Sequence, residues 1–294
     1  MENYLLENCP KNKFDLYFND IFFLEGYNSV LEEKLSTETL NNTALMVLKP
    51  DCIIANKQKI IFEYLNNNGY QIISINKINY HKHLIRSDWY YQINIASKER
   101  LLLVDKFLSF GPSYVVFLKR NEFKKTPATV ELTSKKGSSI PELRNPGDIR
   151  YELGVVSAQL NFIHTADDPM DLIRSLGLYF GYKQRSKLIK NFNTSVTSVQ
   201  NALDYIDADY KNIIKNELSF QKSLNNIVNQ ANKNSEIKDY LGFIPKSNAK
   251  NNFKEWMEFL YSEKLSHNSD LFWDLVTIIS TIMPNNTEGK KPIL

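Results

Sequence analysis

The spacing of apolar positions changes twice along the chain. Up to residue 42, Phe14, Tyr17, Phe18, Ile21, Phe22 and Phe23 are interleaved with acids, which predicts a packed extension rather than a disordered tail. From residue 44, short apolar runs predict strands over 44–48, 71–78, 114–118 and 160–164, the last delivering its final residue into a loop. Longer stretches between them predict helices over 57–65 and 97–110. The second opens on Ser97 as a cap, carries Leu101, Val104 and Leu108 on one face, and stops at Gly111-Pro112. Asp168-Pro169 opens a final helix with Leu172, Leu176 and Tyr179 inward. This order predicts an α+β fold, a ferredoxin-like split βαβ sandwich with helices on one face of the sheet.

After Tyr182 the pattern becomes helical. Val199, Leu203, Ile206, Tyr210, Ile214 and Leu218 fall at spacings of three and four, and Leu224, Ile227 and Val228 continue the stripe. A second helical patch covers 256–261 and 272–283, and the polar tail from Pro284 to Leu294 is expected to fray. Three segments are therefore expected: an N-terminal extension (1–42), an α+β domain (43–182) and a helical C-terminal region (183–294).

Composition narrows the function classes. A formal charge of +3 in 294 residues gives no electrostatic reason to expect nucleic acid as a partner. No apolar run is long enough to span a membrane, since 275–283 is short and broken by Thr277, Ser280 and Thr281. Only 2 cysteines, Cys9 and Cys52, and a first stretch carrying Glu2 and Glu7 point to a reducing cytoplasm.

The candidate chemistry centres on His164, one of 4 histidines. A strand end that spills into a loop presents an imidazole to a cleft. Its neutral nitrogen is a competent nucleophile near pH 7, and the resulting phosphoramidate is reactive enough to be passed on. Phosphoryl transfer needs mainly in-line positioning and cationic or hydrogen-bonding groups around the equatorial oxygens; Lys49, Arg150 and Asn161 are nearest by segment. His81 and His83 lack a nearby Cys or acid cluster and read as a surface strand end, and His267 reads as loop.

Four strings in order carry a family resemblance. They are Leu48-Lys49-Pro50-Asp51, Ser109-Phe110-Gly111-Pro112, Asn145-Pro146-Gly147-Asp148-Ile149-Arg150 and Asn161-Phe162-Ile163-His164-Thr165-Ala166-Asp167, with Leu178-Tyr179-Phe180 following. Together they resemble the signatures of nucleoside diphosphate kinases. The resemblance implies a phosphotransferase that moves the γ-phosphoryl of ATP through phospho-His164 to a nucleotide or nucleotide-like acceptor. Arg150 would hold the transferring phosphate, Lys49 and Asn161 would bond the ribose and phosphates, and Tyr91 matches a phosphate-side tyrosine. Mg²⁺ would bridge the phosphates rather than sit in a protein cage. Self-association into a homo-oligomer is compatible with it.

The chain also departs from the family pattern. Ser175 stands where a glutamate orients the histidine, and residues 121–143 lack the expected arginine, for which Lys135, Lys136 or Arg144 could substitute. Cys52 replaces a glycine, Tyr151 a small residue and Ala166 a serine, while Leu101 stands near the base-stacking aromatic. The competing reading is a nucleotide-binding or scaffolding module with a degenerate kinase site and a helical interaction region.

Overall fold

The computed structural model describes residues 1–233, 253–262 and 271–294, so His267 lies outside the described residues. The first 42 residues form α1 (Glu2–Asn8), α2 (Lys11–Tyr17), α3 (Ile21–Glu32) and α4 (Thr37–Asn42). There follow β1 (Thr43–Leu48), α5 (Pro50–Ile54), α6 (Gln58–Asn67), β2 (Tyr70–Ile78), α7 (Lys82–Asp88), α8 (Lys98–Leu108) and β3 (Ser113–Arg120). Then come α9 (Ala128–Lys136), α10 (Ile149–Glu152), β4 (Ile163–Thr165) and α11 (Pro169–Tyr179). The remainder is α12 (Tyr182–Asn191), α13 (Val199–Asp209), α14 (Phe220–Lys233), α15 (Phe253–Tyr261) and α16 (Phe272–Ile282).

The strands form an antiparallel sheet of order β2-β3-β1-β4, the ferredoxin-like arrangement expected from the sequence. Every side chain of β1 is buried, as are seven of the eight in β3. Because successive strand residues point to opposite faces, both faces of the centre are covered rather than one. Phe117 meets Phe180 and Phe192, whereas Tyr114, on the other face, meets Tyr205 and Tyr210. Helices beyond the split βαβ core thus supply the second layer.

The N-terminal helices reach the core through a close crossing of α3 and α11. A Cβ on Gly177 would lie 1.8 Å from the Phe22 carbonyl oxygen, and one on Gly26 would lie 2.0 Å from that of Ile173. The Arg174 Nε to Asp20 Oδ2 ion pair, 2.8 Å long and buried at both ends, locks the crossing. Gly177→Ala is expected to force the helices apart at a cost of about 1–3 kcal/mol, the range for overpacking a tight interface. Thermal unfolding checks this; an unchanged melting temperature would contradict the crossing.

Three expectations about the chain's course change. The stripe from Val199 to Leu218 is not one helix, because α13 ends at Asp209. There Tyr210 donates to the Pro112 carbonyl, and the next residues run to Ile54 through the Asn216 amide. His81 caps the start of α7, accepting from the Leu84 amide, rather than ending a strand. The tail is not frayed. Its backbone pairs with residues 91–97: Asn285 O accepts from Ser97 N, Thr287 N donates to Ile95 O, and the Ile293 and Leu294 amides donate to Tyr91 O. No helix among the described residues is long and apolar enough to cross a membrane.

Candidate active site

The end of β1 and the turn before β4 are built as one unit. Lys49 caps α5, whose first position is Pro50, a residue preset for a helix start. Lys49 N donates to Phe162 O at 3.0 Å, and Asp51 Oδ2 accepts from Phe162 N at 2.9 Å. Phe162 is thereby held at φ +67°, an unfavourable conformation for a bulky residue, and Ile163 N closes a tight turn on Asn161 O at 2.7 Å. The turn cuts the predicted strand short, so that β4 starts at Ile163. It also places His164 opposite Val47, half-buried, two residues beyond the strained position.

Among the described residues, no hydrogen bond engages the His164 imidazole. Trp89 packs beside it with ring centroids 5.3 Å apart. Burial pushes the imidazole pKa below its ordinary value, an effect opposed most by the nearby Asp88 carboxylate and reinforced by Lys136. The ring is therefore neutral at pH 7. Asp88 itself accepts from the hydroxyls of Tyr80 and Tyr179 at 2.6 and 2.7 Å.

Arg150 comes from α10, just after the turn at Gly147. It donates to the backbone carbonyls of Gly137, Asn161 and Ile163, so it braces the histidine turn from below. It is 6% exposed and pairs with no carboxylate among the described residues. Burial lowers its pKa to about 10, which leaves it cationic at neutral pH. Gly137 makes this possible: it lies at φ +78°, and a Cβ there would stand 2.5 Å from the Asp148 carboxylate.

Lys49 is 3% exposed; its Nζ donates to Gln159 O at 3.0 Å and lies 3.5 Å from Asp51 Oδ2. Desolvation dominates over Asp51 and lowers its pKa to about 8. Lys136, at the end of α9, donates to Thr165 Oγ1 at 2.7 Å and Asp167 Oδ1 at 3.1 Å.

Two cavities meet at His164. The larger, about 220 Å³, is lined by Lys49, Arg150, Asn161 and His164 together with Lys136, Arg100 and Asp167. Four cationic side chains thus face one carboxylate, an environment suited to a polyanion. Its other wall, from α8 and the residues before it, is largely apolar, with Ala96, Leu101 and Val104. The smaller cavity, about 50 Å³, holds Ser175, Tyr91, Asp88 and Lys13 around the other side of His164 and has room for little beyond water.

The structure therefore brings Lys49, Arg150, Asn161 and His164 to one cavity and separates the other expected residues from it. Tyr91 lines only the smaller cavity, because its hydroxyl donates to Asp20 at 3.0 Å and its ring stacks on Tyr17. Arg144 lines neither, since its guanidinium folds back onto the carbonyls of Ser138, Ser139 and Val155 and shapes that loop. Lys135 bonds Asn68 instead, which leaves Lys136 as the cavity's cation from α9. Ser175 lies beside His164 in the smaller cavity without a hydrogen bond to it. Sequence reasoning missed Arg100, Gln159 and the Trp89 contact, none of which falls in the motif strings.

The pattern of the nucleoside diphosphate kinase family matches residues 42–184. A nucleoside diphosphate kinase of Histophilus somni (strain 2336) is 25% identical over 142 residues, covering 48% of this chain and 94% of that protein. The protein of the same name from strain 129Pt is 24% identical over the same shares. Among solved structures, an NDP kinase from Pyrobaculum aerophilum superposes with a TM-score of 0.40 at 18% identity, covering 48% of this chain and 97% of that one. Residues 42–184 thus form a domain similar to nucleoside diphosphate kinases, at low identity.

Proposed function

We propose that the protein takes the γ-phosphoryl of MgATP onto His164 and passes it to a nucleotide or nucleotide-like acceptor. The observation that carries this reading is a neutral imidazole, without a hydrogen-bond partner among the described residues, facing a cavity with four cations and one carboxylate. In the first half-reaction the unprotonated ring nitrogen bonds to the γ-phosphorus as the bond to the bridging oxygen breaks, and the electron pair leaves with ADP. The second half-reaction reverses this with an acceptor oxygen as nucleophile. Arg150, Lys49 and Lys136 neutralise the equatorial oxygens, and Asn161 adds a hydrogen-bonding side chain at the same wall.

Mg²⁺ enters as part of the substrate. An ion carried by the phosphates of the substrate would ask for no cage of protein ligands. The functional test is incubation with γ-labelled MgATP followed by a panel of nucleoside diphosphates and monophosphates. Labelled product in at least one case is expected. No transfer to any acceptor, with ATP bound, would leave a binding module.

The rate of phosphoenzyme formation should be bell-shaped in pH. His164 must be neutral to attack, and its folded pKa lies below 6.5, so activity rises with pH through an acid limb below that value. Lys49 must be charged to hold phosphate, and with a pKa of about 8 in the free protein it loses that charge as pH rises through the basic limb. The second-order rate constant, which reports the free protein, should show both limbs, and Lys49→Arg should remove the basic one. An acid limb above 6.5 would contradict the buried neutral imidazole.

A further inference from the structure

The four cations of the larger cavity are not equally occupied. Lys49 lies 3.5 Å from Asp51 and Lys136 lies 3.1 Å from Asp167, so each has a carboxylate beside it. Arg150 donates from all three guanidinium nitrogens to the carbonyls of Gly137, Asn161 and Ile163. Arg100, in the first turn of α8, differs from all of them. It is half-buried on the cavity wall, and among the described residues its guanidinium meets no carboxylate and makes one hydrogen bond, from Nη1 to Asn286 Oδ1 at 2.8 Å. Burial alone lowers its pKa, and the group stays cationic. A guanidinium that gives up water without gaining a carboxylate is costly, and its open fork matches an oxyanion able to accept two parallel N–H bonds.

The C-terminal tail sets where this fork points. Asn286 bridges Ala96 in antiparallel sense, with Ser97 N donating to Asn285 O and Thr287 N donating to Ile95 O at 2.7 Å. Ser97 Oγ donates to Pro284 O at 2.8 Å and accepts from the Arg100 amide, so the backbone and the side chain of this turn are both held to the tail. An arginine N–H can meet only an acceptor, so the pairing also fixes the Asn286 amide with its oxygen toward the guanidinium.

Arg100 shares the α8 wall with Leu101 and Val104, whereas Lys136, Arg150 and His164 come from α9, α10 and β4. A nucleotide with its terminal phosphoryl at His164 and its ring against the apolar surface of α8 carries its remaining phosphates between the two. We propose that Arg100, aimed by Asn286 of the tail, is a ligand-binding residue that grips the phosphates which do not transfer. This rests on the nucleotide reading of the cavity given above.

The test is calorimetric titration of the whole protein with ADP, which carries both of those phosphates, and with adenosine, which carries none. Arg100→Gln should weaken ADP by about 10- to 100-fold, the range for losing a charge-assisted hydrogen bond, and leave adenosine unchanged. Asn286→Ala, at an exposed position, should weaken ADP by about 2- to 10-fold. Asn286→Asp separates phosphate binding from a purely structural tie. Aspartate keeps the tail attached but supplies a carboxylate that competes with phosphate for the guanidinium, so ADP should bind more weakly than to Asn286→Ala. A tie that only fastens the tail would be strengthened by the same change, with ADP affinity unaltered. Wild-type ADP affinity in Arg100→Gln or in Asn286→Asp would overturn the proposal while leaving the nucleotide reading in place. Equal losses of ADP and adenosine affinity in Arg100→Gln would overturn it as well, since the residue would then shape the cavity rather than hold phosphate. Absence of ADP binding by the wild type would overturn the nucleotide reading and the proposal together.

Discussion

His164→Ala is expected to abolish phosphoenzyme formation and to leave the fold and nucleotide affinity largely intact. The imidazole is half-buried at a cavity wall, and among the described residues it makes no hydrogen bond, so its removal leaves no orphaned partner. The strained turn beneath it depends on Asp51, Lys49 and Arg150 acting through backbone groups, all of which the variant retains. Label on the variant at the wild-type level would show that another group accepts the phosphoryl. An unfolded variant would contradict the claim that the side chain is not part of the core.

Arg150→Ala is expected to slow phosphoenzyme formation by at least about tenfold. A single charge-assisted hydrogen bond to phosphate is worth about 1.5–3 kcal/mol, and tenfold corresponds to about 1.4 kcal/mol. The residue also braces three carbonyls, two of them in the segment that carries His164, so the loss extends beyond the phosphate contact. Arg150→Lys separates these parts. It restores a positive charge but not the planar fork, and should recover only a fraction of the rate. Single-turnover kinetics of both variants check the expectation, and wild-type rates in Arg150→Ala would place the phosphate elsewhere.

The core of this site was legible in the sequence because local patterns encode it. Alternating apolar runs marked the strands, Asp168-Pro169 marked the start of α11, and short motif strings at strand ends identified four residues that converge on one cavity. What escaped depends on contacts between distant segments. Tyr91 matches a phosphate-side tyrosine by its place in the sequence, but Asp20, which caps the start of α3, holds its hydroxyl, and no local signal in residues 88–95 reveals that pairing. Arg144 looked like a replacement cation, yet free carbonyls in the loop around Ser138 captured it first. The tail read as frayed because it is polar and aperiodic. Its order comes from backbone groups of residues 91–97, which hydropathy does not register.

The missing glutamate at Ser175 also looks different in three dimensions. Asp88, from the end of α7, brings a carboxylate whose charge acts on the imidazole from the smaller cavity, oriented by two tyrosine hydroxyls. Its distance from His164 in sequence hides it from motif comparison.

The central claim is that His164 carries the phosphoryl group. It is tested most directly by exposing the wild-type protein to γ-labelled MgATP without an acceptor, then treating the isolated protein with acid and with base and mapping the labelled peptide. The account predicts a label that acid removes and base does not, located on the peptide containing His164. A label that survives acid, or one that maps to a different residue, would contradict it.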